Sequence, residues 1–199
     1  MPILTEEFYA LTAIPKTKQY IETGCYRGDG LARVIDHYDQ VHSIELSEVW
    51  YSHCVERFRK QPTVHIHFGN SKYVLPKILS TIKEPVTVYL DAHFCSGATA
   101  FGEENVDGIS SAPLLAELDI IHQHPYNDII IIDDCRMLGT RGWSNDYNSM
   151  WPSYEYDWTN ITEDAIRARM KNKYEIFKNT SIINYTSGPH DRWVLAIPK

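Results

Sequence analysis

The sequence predicts an α/β fold: a doubly wound, mostly parallel, seven-stranded sheet covered by helices and closed by a C-terminal antiparallel hairpin. Three observations carry this. Strand-like and helix-like segments alternate from residue 19 to 134, the pattern of successive βαβ units. The runs VTVYL (86–90) and IIII (129–132) are apolar at every position, as strands are when both sheet faces are buried. The last segment reads strand, turn, strand, with SGPH (187–190) as the turn.

The elements follow in order. QYIET (19–23) is the first strand, and 28–38 reads as a helix. VHSIEL (41–46) is the second strand. The helix over 47–60 begins at Ser47, whose hydroxyl suits an N-cap. TVHIHFG (63–69) is the third strand, followed by a helix over 71–82, bent or restarted at Pro76. VTVYLDAH (86–93) is the fourth strand. The helix over 111–124 tolerates Pro113 in its first turn. DIIIIDD (128–134) is the fifth strand. An irregular aromatic segment runs to about 160. A helix over 162–173, capped by Thr162 or Thr159, and strands over 174–186 and 191–199 complete the chain. No internal repeat or linker interrupts it, so 1–199 reads as a single domain.

Composition narrows the partners. A net charge of −7 argues against a nucleic-acid backbone, which is held by clustered Lys and Arg. No apolar stretch approaches the ~20 residues of a membrane helix, and the N-terminus lacks a basic-then-apolar leader pattern. The four cysteines form no C-x-x-C pair, and scattered unpaired cysteines fit a reducing, cytoplasmic setting. Cys25, Cys95 and Cys135 are read as small packing residues.

Chemistry concentrates at two places. The first is ETGCYRGDG, residues 22–30, directly after the first strand. Its glycines are spaced G-x-x-x-G-x-G and do not fit the dinucleotide pattern G-x-G-x-x-G. Gly24 and Gly28 allow positive φ and close backbone approach, and the following helix would point its positive end at a ligand. Glu22 is ill placed for a pyrophosphate and suits a ligand with a cationic amine. Glu45, ending the next strand, comes about 20 residues later, the position from which a carboxylate accepts ribose hydroxyls. Asn70 and Ser71 follow the third strand, where a base would lie.

The second place is the carboxyl edge of strands four and five. Ligands of open α/β sheets bind there. Asp91 and His93 emerge from LDAHF, and Asp133 and Asp134 from IIIIDDC. Three convergent carboxylates raise one another's pKa unless a cation intervenes, and oxygen ligands favour Mg²⁺ or Mn²⁺. His93, two residues past Asp91 on an extended segment, shares its face and suits a general base near neutral pH.

These motifs together resemble the class I S-adenosylmethionine (AdoMet) methyltransferases, whose fold is Rossmann-like. Within them the chain is similar to the Mg²⁺-dependent O-methyltransferases that act on sugars of macrolides and aminocoumarins. The resemblance spans roughly 18–199. It implies AdoMet as cofactor, held by Glu22, Thr23, Gly24, Tyr26, Gly28, Asp29, Glu45, Leu46, Asn70, Ser71 and Asp91. It implies a metal on Asp91, Asp133 and Asp134, and His93 with Asp91 as the catalytic pair. The acceptor would be a small molecule or glycan. Residues 94–111 and the aromatic segment 136–158, with Trp143, Tyr147, Trp151, Tyr154, Tyr156 and Trp158, are its expected territory. Sheet cover or a homodimer contact is the other use for those aromatics. The competing readings are a metal-dependent hydrolase built on Asp91, His93, Asp133 and Asp134, a catalytically silent AdoMet-binding protein, and an NAD-dependent oxidoreductase, which the glycine spacing and Glu22 disfavour.

Overall fold

The computed structural model describes residues 16–144, 153–178 and 194–199. The strands are β1 (Gln19–Thr23), β2 (Gln40–Glu45), β3 (Val64–Phe68), β4 (Val86–Leu90), β5 (Ile129–Ile132), β6 (Arg141–Ser144), β7 (Tyr154–Asp157), β8 (Tyr174–Lys178) and β9 (Val194–Pro198). The helices are α1 (Leu31–Val34), α2 (Glu48–Phe58), α3 (Ser71–Thr81), α4 (Leu114–Gln123) and α5 (Glu163–Met170).

The main sheet has the order β3-β2-β1-β4-β5-β9-β8. Strands β1 to β5 run parallel, and β9 lies antiparallel between β5 and β8. The expected turn at 187–190 lies outside the described residues. Chain order reverses between β1 and β4, which makes the crevice at their carboxyl ends the natural ligand site.

Alternation along the strands builds two cores. Val86, Val88, Leu90, Ile130 and Ile132 face one side, with Leu75, Leu79, Leu118, Ile121 and Ile166 from α3, α4 and α5 packed on them. Tyr89, Ile129 and Ile131 face the other side, against Leu31, Val34, Cys54 and Phe58 from α1 and α2. The all-apolar runs are therefore apolar because both faces are covered.

Helix starts follow local capping chemistry. Ser47 accepts from the Trp50 N–H, Asn70 from the Lys72 N–H and Thr162 from the Ala165 N–H. Helix α3 runs through Pro76 as one element, forgoing one intrahelical hydrogen bond.

Two expectations are corrected. The helix expected over 28–38 is only the four residues of α1, followed by a 3₁₀ turn at Ile35–His37. Gly28 and Gly30 disfavour helix, and no side chain caps α1. The aromatic segment is not wholly irregular. Strands β6 and β7 form a separate antiparallel pair, tied by Ser110 to the loop after β4.

Candidate active site

A cleft opens at the carboxyl ends of β1 to β4. Gly24 and Tyr26 from the glycine loop, Glu45 and Leu46 from β2, Asn70 and Ser71 from the α3 start, and Asp91 and His93 from β4 all line it. Most of the residues expected to meet a ligand are thus brought together.

At the β2 end, Glu45 is buried. Its Oε2 accepts from the Tyr26 N–H at 2.7 Å and its Oε1 from the Ser47 N–H at 2.7 Å. Burial raises its pKa, and those backbone donors oppose the shift. The carboxylate is thereby oriented while lone pairs remain for a ligand's hydroxyls. Asn70 spends its carbonyl oxygen on capping α3, and its amide group points to Glu104 at the cleft.

Four expected ligand residues are placed elsewhere. Glu22 is buried under the loop, accepting from the Ser43 hydroxyl at 2.8 Å, and does not line the cleft. Burial, then the neighbouring Cys25, holds its pKa well above the usual carboxylate range. Thr23 is also buried, with its hydroxyl accepting from the Asp91 N–H at 3.4 Å. Gly28 faces away: a Cβ there would come 2.6 Å from the Phe58 ring and 3.2 Å from Cys54 Sγ. Asp29 is exposed and pairs with Arg57 at 2.6 Å.

Gly24 does line the cleft, but its bare side meets protein. A Cβ there would come 2.7 Å from the Asp91 carbonyl, and its φ is +86°. Both loop glycines are therefore required by packing against β4 and α2. The four-residue α1 offers no dipole worth counting at the cleft.

The other end of the cleft holds the acids. His93 Nε2 lies 3.4 Å from Asp134 Oδ2, and its Nδ1 lies 3.8 Å from Asp91 Oδ1. The ring stands edge-on to buried Trp158, 5.7 Å between centroids. Asp91 keeps 30% of its side-chain surface open. Even so, burial and then the charges of Asp133, Asp134 and Glu22 push its carboxyl well above the usual range. Asp134 is held in the left-handed region at φ 52°, a costly conformation for a non-glycine residue, and pairs closely with Arg136.

Ligating atoms of Asp91, His93 and Asp134 all lie within 4.8 Å of one another. First-row divalent ions hold neighbouring ligands about 3 Å apart, so small side-chain movements bring this set into range. Asp133 does not belong to it. One of its oxygens accepts from the Tyr89 hydroxyl and the other from the Asp134 N–H at 2.8 Å. Of the expected trio Asp91, Asp133 and Asp134, the structure gathers Asp91 and Asp134 with His93, while Asp133 is turned toward the Tyr89 hydroxyl.

Two residues at the site were not anticipated. Glu117 on α4 lines the small cavity beneath His93, Asp91 and Asp134. It is 1% exposed, its Oε1 has no hydrogen-bond partner among the described residues, and burial pushes its pKa up to about 7. The signal was present: Leu114, Glu117, Leu118 and Ile121 make an i, i+3, i+4, i+7 stripe with one acid in it. Glu104 reaches the cleft from the loop after β4 and accepts from the Asn70 amide at 3.4 Å. No periodicity marks it.

That loop is tethered across the cleft. Ser47 Oγ donates to the Ala98 carbonyl, and Lys72 and Tyr73 both reach Glu103. Phe94 stacks on Phe101 at 3.9 Å and meets Tyr154 edge-on at 5.6 Å. Trp158 is core, Trp143 is exposed, and Tyr147 and Trp151 lie outside the described residues.

No protein-family model matches this chain, and no curated protein matches its sequence. Solved structures do resemble it. An S-adenosylmethionine-dependent methyltransferase from Clostridium acetobutylicum superposes with a TM-score of 0.56 at 13% identity, covering 96% of this chain and 88% of that one. A methyltransferase of Podospora anserina, solved with S-adenosylhomocysteine, gives 0.55 at 16% identity over 92% and 72% of the two chains. A glycopeptide N-methyltransferase complexed with AdoMet gives 0.56 at 10% identity over 97% and 92%. The fold is that of the class I AdoMet-dependent methyltransferases. Among the described residues, no helix is long and apolar enough to cross a membrane.

Proposed function

We propose that this protein is an AdoMet-dependent O-methyltransferase acting on a hydroxyl of a sugar or glycan. The observation that carries the reading is a single cleft at the strand-order switch. It has an oriented carboxylate, Glu45, at one end and a His93 imidazole between two carboxylates at the other. The seven strands, with β8 and β9 as a terminal hairpin, fit this reading.

His93 is the group to take the acceptor's proton. As the hydroxyl oxygen bonds to the methyl carbon, the carbon–sulfur bond breaks. The sulfonium becomes a neutral thioether, and the hydroxyl proton passes to the imidazole. Asp91 and Asp134 orient the ring and stabilise the imidazolium that forms. A divalent cation held by Asp91, Asp134 and His93 would be the alternative to this proton transfer: it would lower the acceptor hydroxyl's pKa, with His93 then a ligand and no longer the base. One nitrogen in the set favours Mn²⁺ over Mg²⁺, and Arg136 on Asp134 weakens the site for either. Phe94, Phe101 and Tyr154 offer apolar ring faces for the C–H side of a sugar. A cytoplasmic setting and a small-molecule or glycan acceptor belong to the same reading.

Calorimetry with AdoMet and S-adenosylhomocysteine, in Mg²⁺, in Mn²⁺ and in EDTA, tests it. Binding of both supports the reading, and the metal arms report whether a cation takes part. Absence of binding in every condition overturns it, and the Asp91–His93–Asp134 cluster would then be assayed as a hydrolase centre.

A further inference from the structure

The glycine loop is braced from behind by α2. Trp50 packs on Tyr26 with ring centroids 4.6 Å apart, Arg57 reaches the Arg27 carbonyl and Asp29, and Phe58 fills the space beside Gly28. At the centre of this contact are two cysteines 29 residues apart in sequence, with their Sγ atoms 3.0 Å apart. Cys25 is 5% exposed and Cys54 is fully buried. Cys54 Sγ is also within hydrogen-bonding range of the Tyr26 carbonyl, at 3.2 Å.

We infer that Cys25 and Cys54 form a reversible disulfide that staples the glycine loop to α2. The inference does not depend on the proposed methyl transfer. The sulfurs already sit inside van der Waals contact, and a bond of about 2.05 Å needs them to close by only about an ångström.

The oxidant is a small disulfide such as glutathione disulfide. A thiolate of the pair attacks it, releasing one glutathione thiolate. The second protein thiol then displaces the other glutathione. Two thiol hydrogens leave the protein and two glutathione thiols are formed. The contact with Cys54 and then burial hold the Cys25 thiol far above its usual pKa, so exchange is slower than at an exposed cysteine. The staple would close the loop between residues 25 and 54, restricting the unfolded chain. It would also remove the Cys54 thiol as a donor to Tyr26, whose N–H holds Glu45.

The test equilibrates the native, folded protein in glutathione buffers from fully reduced to strongly oxidising. The reaction is quenched with acid and the protein analysed by intact mass and peptide mapping. The expected result is loss of two hydrogens, a Cys25–Cys54 linked peptide, a raised Tm and full reversal by dithiothreitol. Cys54→Ala should abolish the link and the Tm rise. Because the main readout uses the unmodified chain, a poorly folding variant does not blunt the test. The inference is overturned if Cys25 and Cys54 stay alkylatable while Cys95 or Cys135 takes up glutathione. It is equally overturned if the link forms only in unfolded protein, or if it lowers Tm.

Discussion

Two histidines of this protein sit among carboxylates at opposite ends of the sheet, and they differ in one respect. His124, beyond α4, lies 2.7 Å from Asp128 through Nδ1, while its Nε2 faces the Ile82 carbonyl at 3.4 Å. The other Asp128 oxygen accepts from the Val86 N–H at 3.0 Å. Both residues are buried. His93 has two carboxylates at 3.4 and 3.8 Å, neither close and aligned enough for a good hydrogen bond, and it faces a cleft. The first pair ties the start of β4 to the start of β5. The second leaves polar capacity open where a ligand can use it. Satisfied polar groups hold a fold together, and unsatisfied ones at a cavity do chemistry.

The widest separation between the two comes from kinetics. His93→Ala should lower kcat by ~10²–10⁴, the usual range for a general base, with S-adenosylhomocysteine affinity kept. Asp91→Asn should move turnover in the same direction. An unchanged rate in the His93 variant would remove that residue from the reaction. The converse substitution, Asp128→Ala, should cost about 3–5 kcal/mol of unfolding free energy because it strands His124 and the Val86 N–H. Its turnover per folded molecule should be unchanged. Denaturant unfolding and active-site-normalised rates check both halves.

Glu117 sharpens the contrast, since it is buried with its Oε1 unpartnered among the described residues. Its pKa is raised to about 7 by burial, above the ~4.3 of the unfolded chain. The folded state therefore keeps a proton that the unfolded state has lost. Stability from this group is fully present below about pH 4.3 and is lost as pH rises through 7. Glu117→Gln should unfold with the smaller pH dependence over that window, with a gain at pH 8 of up to about 3 kcal/mol. Parallel pH profiles for the two proteins would show that the carboxyl is already ionised.

The smallest effect belongs to the histidines on the outer strands. His42 contacts His67 at 3.0 Å and stacks on His65, and burial, then those two rings, lowers its pKa to about 4. Here the unfolded chain binds the extra proton, so stability is lost as pH falls from about 6.5 through 4. The rings are only half-buried, so solvent screens part of the effect. His42→Leu should flatten Tm between pH 4 and 6.5, and an unaltered slope would move the acid sensitivity elsewhere.

Much of this architecture was legible in the chain. The apolar runs at 86–90 and 129–132 declared strands buried on both faces, and Ser47 and Thr162 marked their helix starts because capping is local. The site was legible where strand ends dictate position: Glu45, Asp91, His93 and Asp134 all leave the sheet at one edge. The short strands β6 and β7 were not, since each is stabilised by the other and by Ser110 rather than by its own pattern.

What the sequence determined by itself was the order and type of most elements, and hence which strand ends face the cleft, because periodicity and capping act over a few residues. Only the tertiary structure decided what each side chain does there. Adjacent Asp133 and Asp134 part company because Tyr89 from the neighbouring strand claims the first, leaving the second to His93. Gly28 serves Phe58 rather than a ligand, and Cys25 meets Cys54, because α2 folds back across the loop. Those partners lie far away along the chain, and no local pattern encodes a contact whose other half is supplied by a different element.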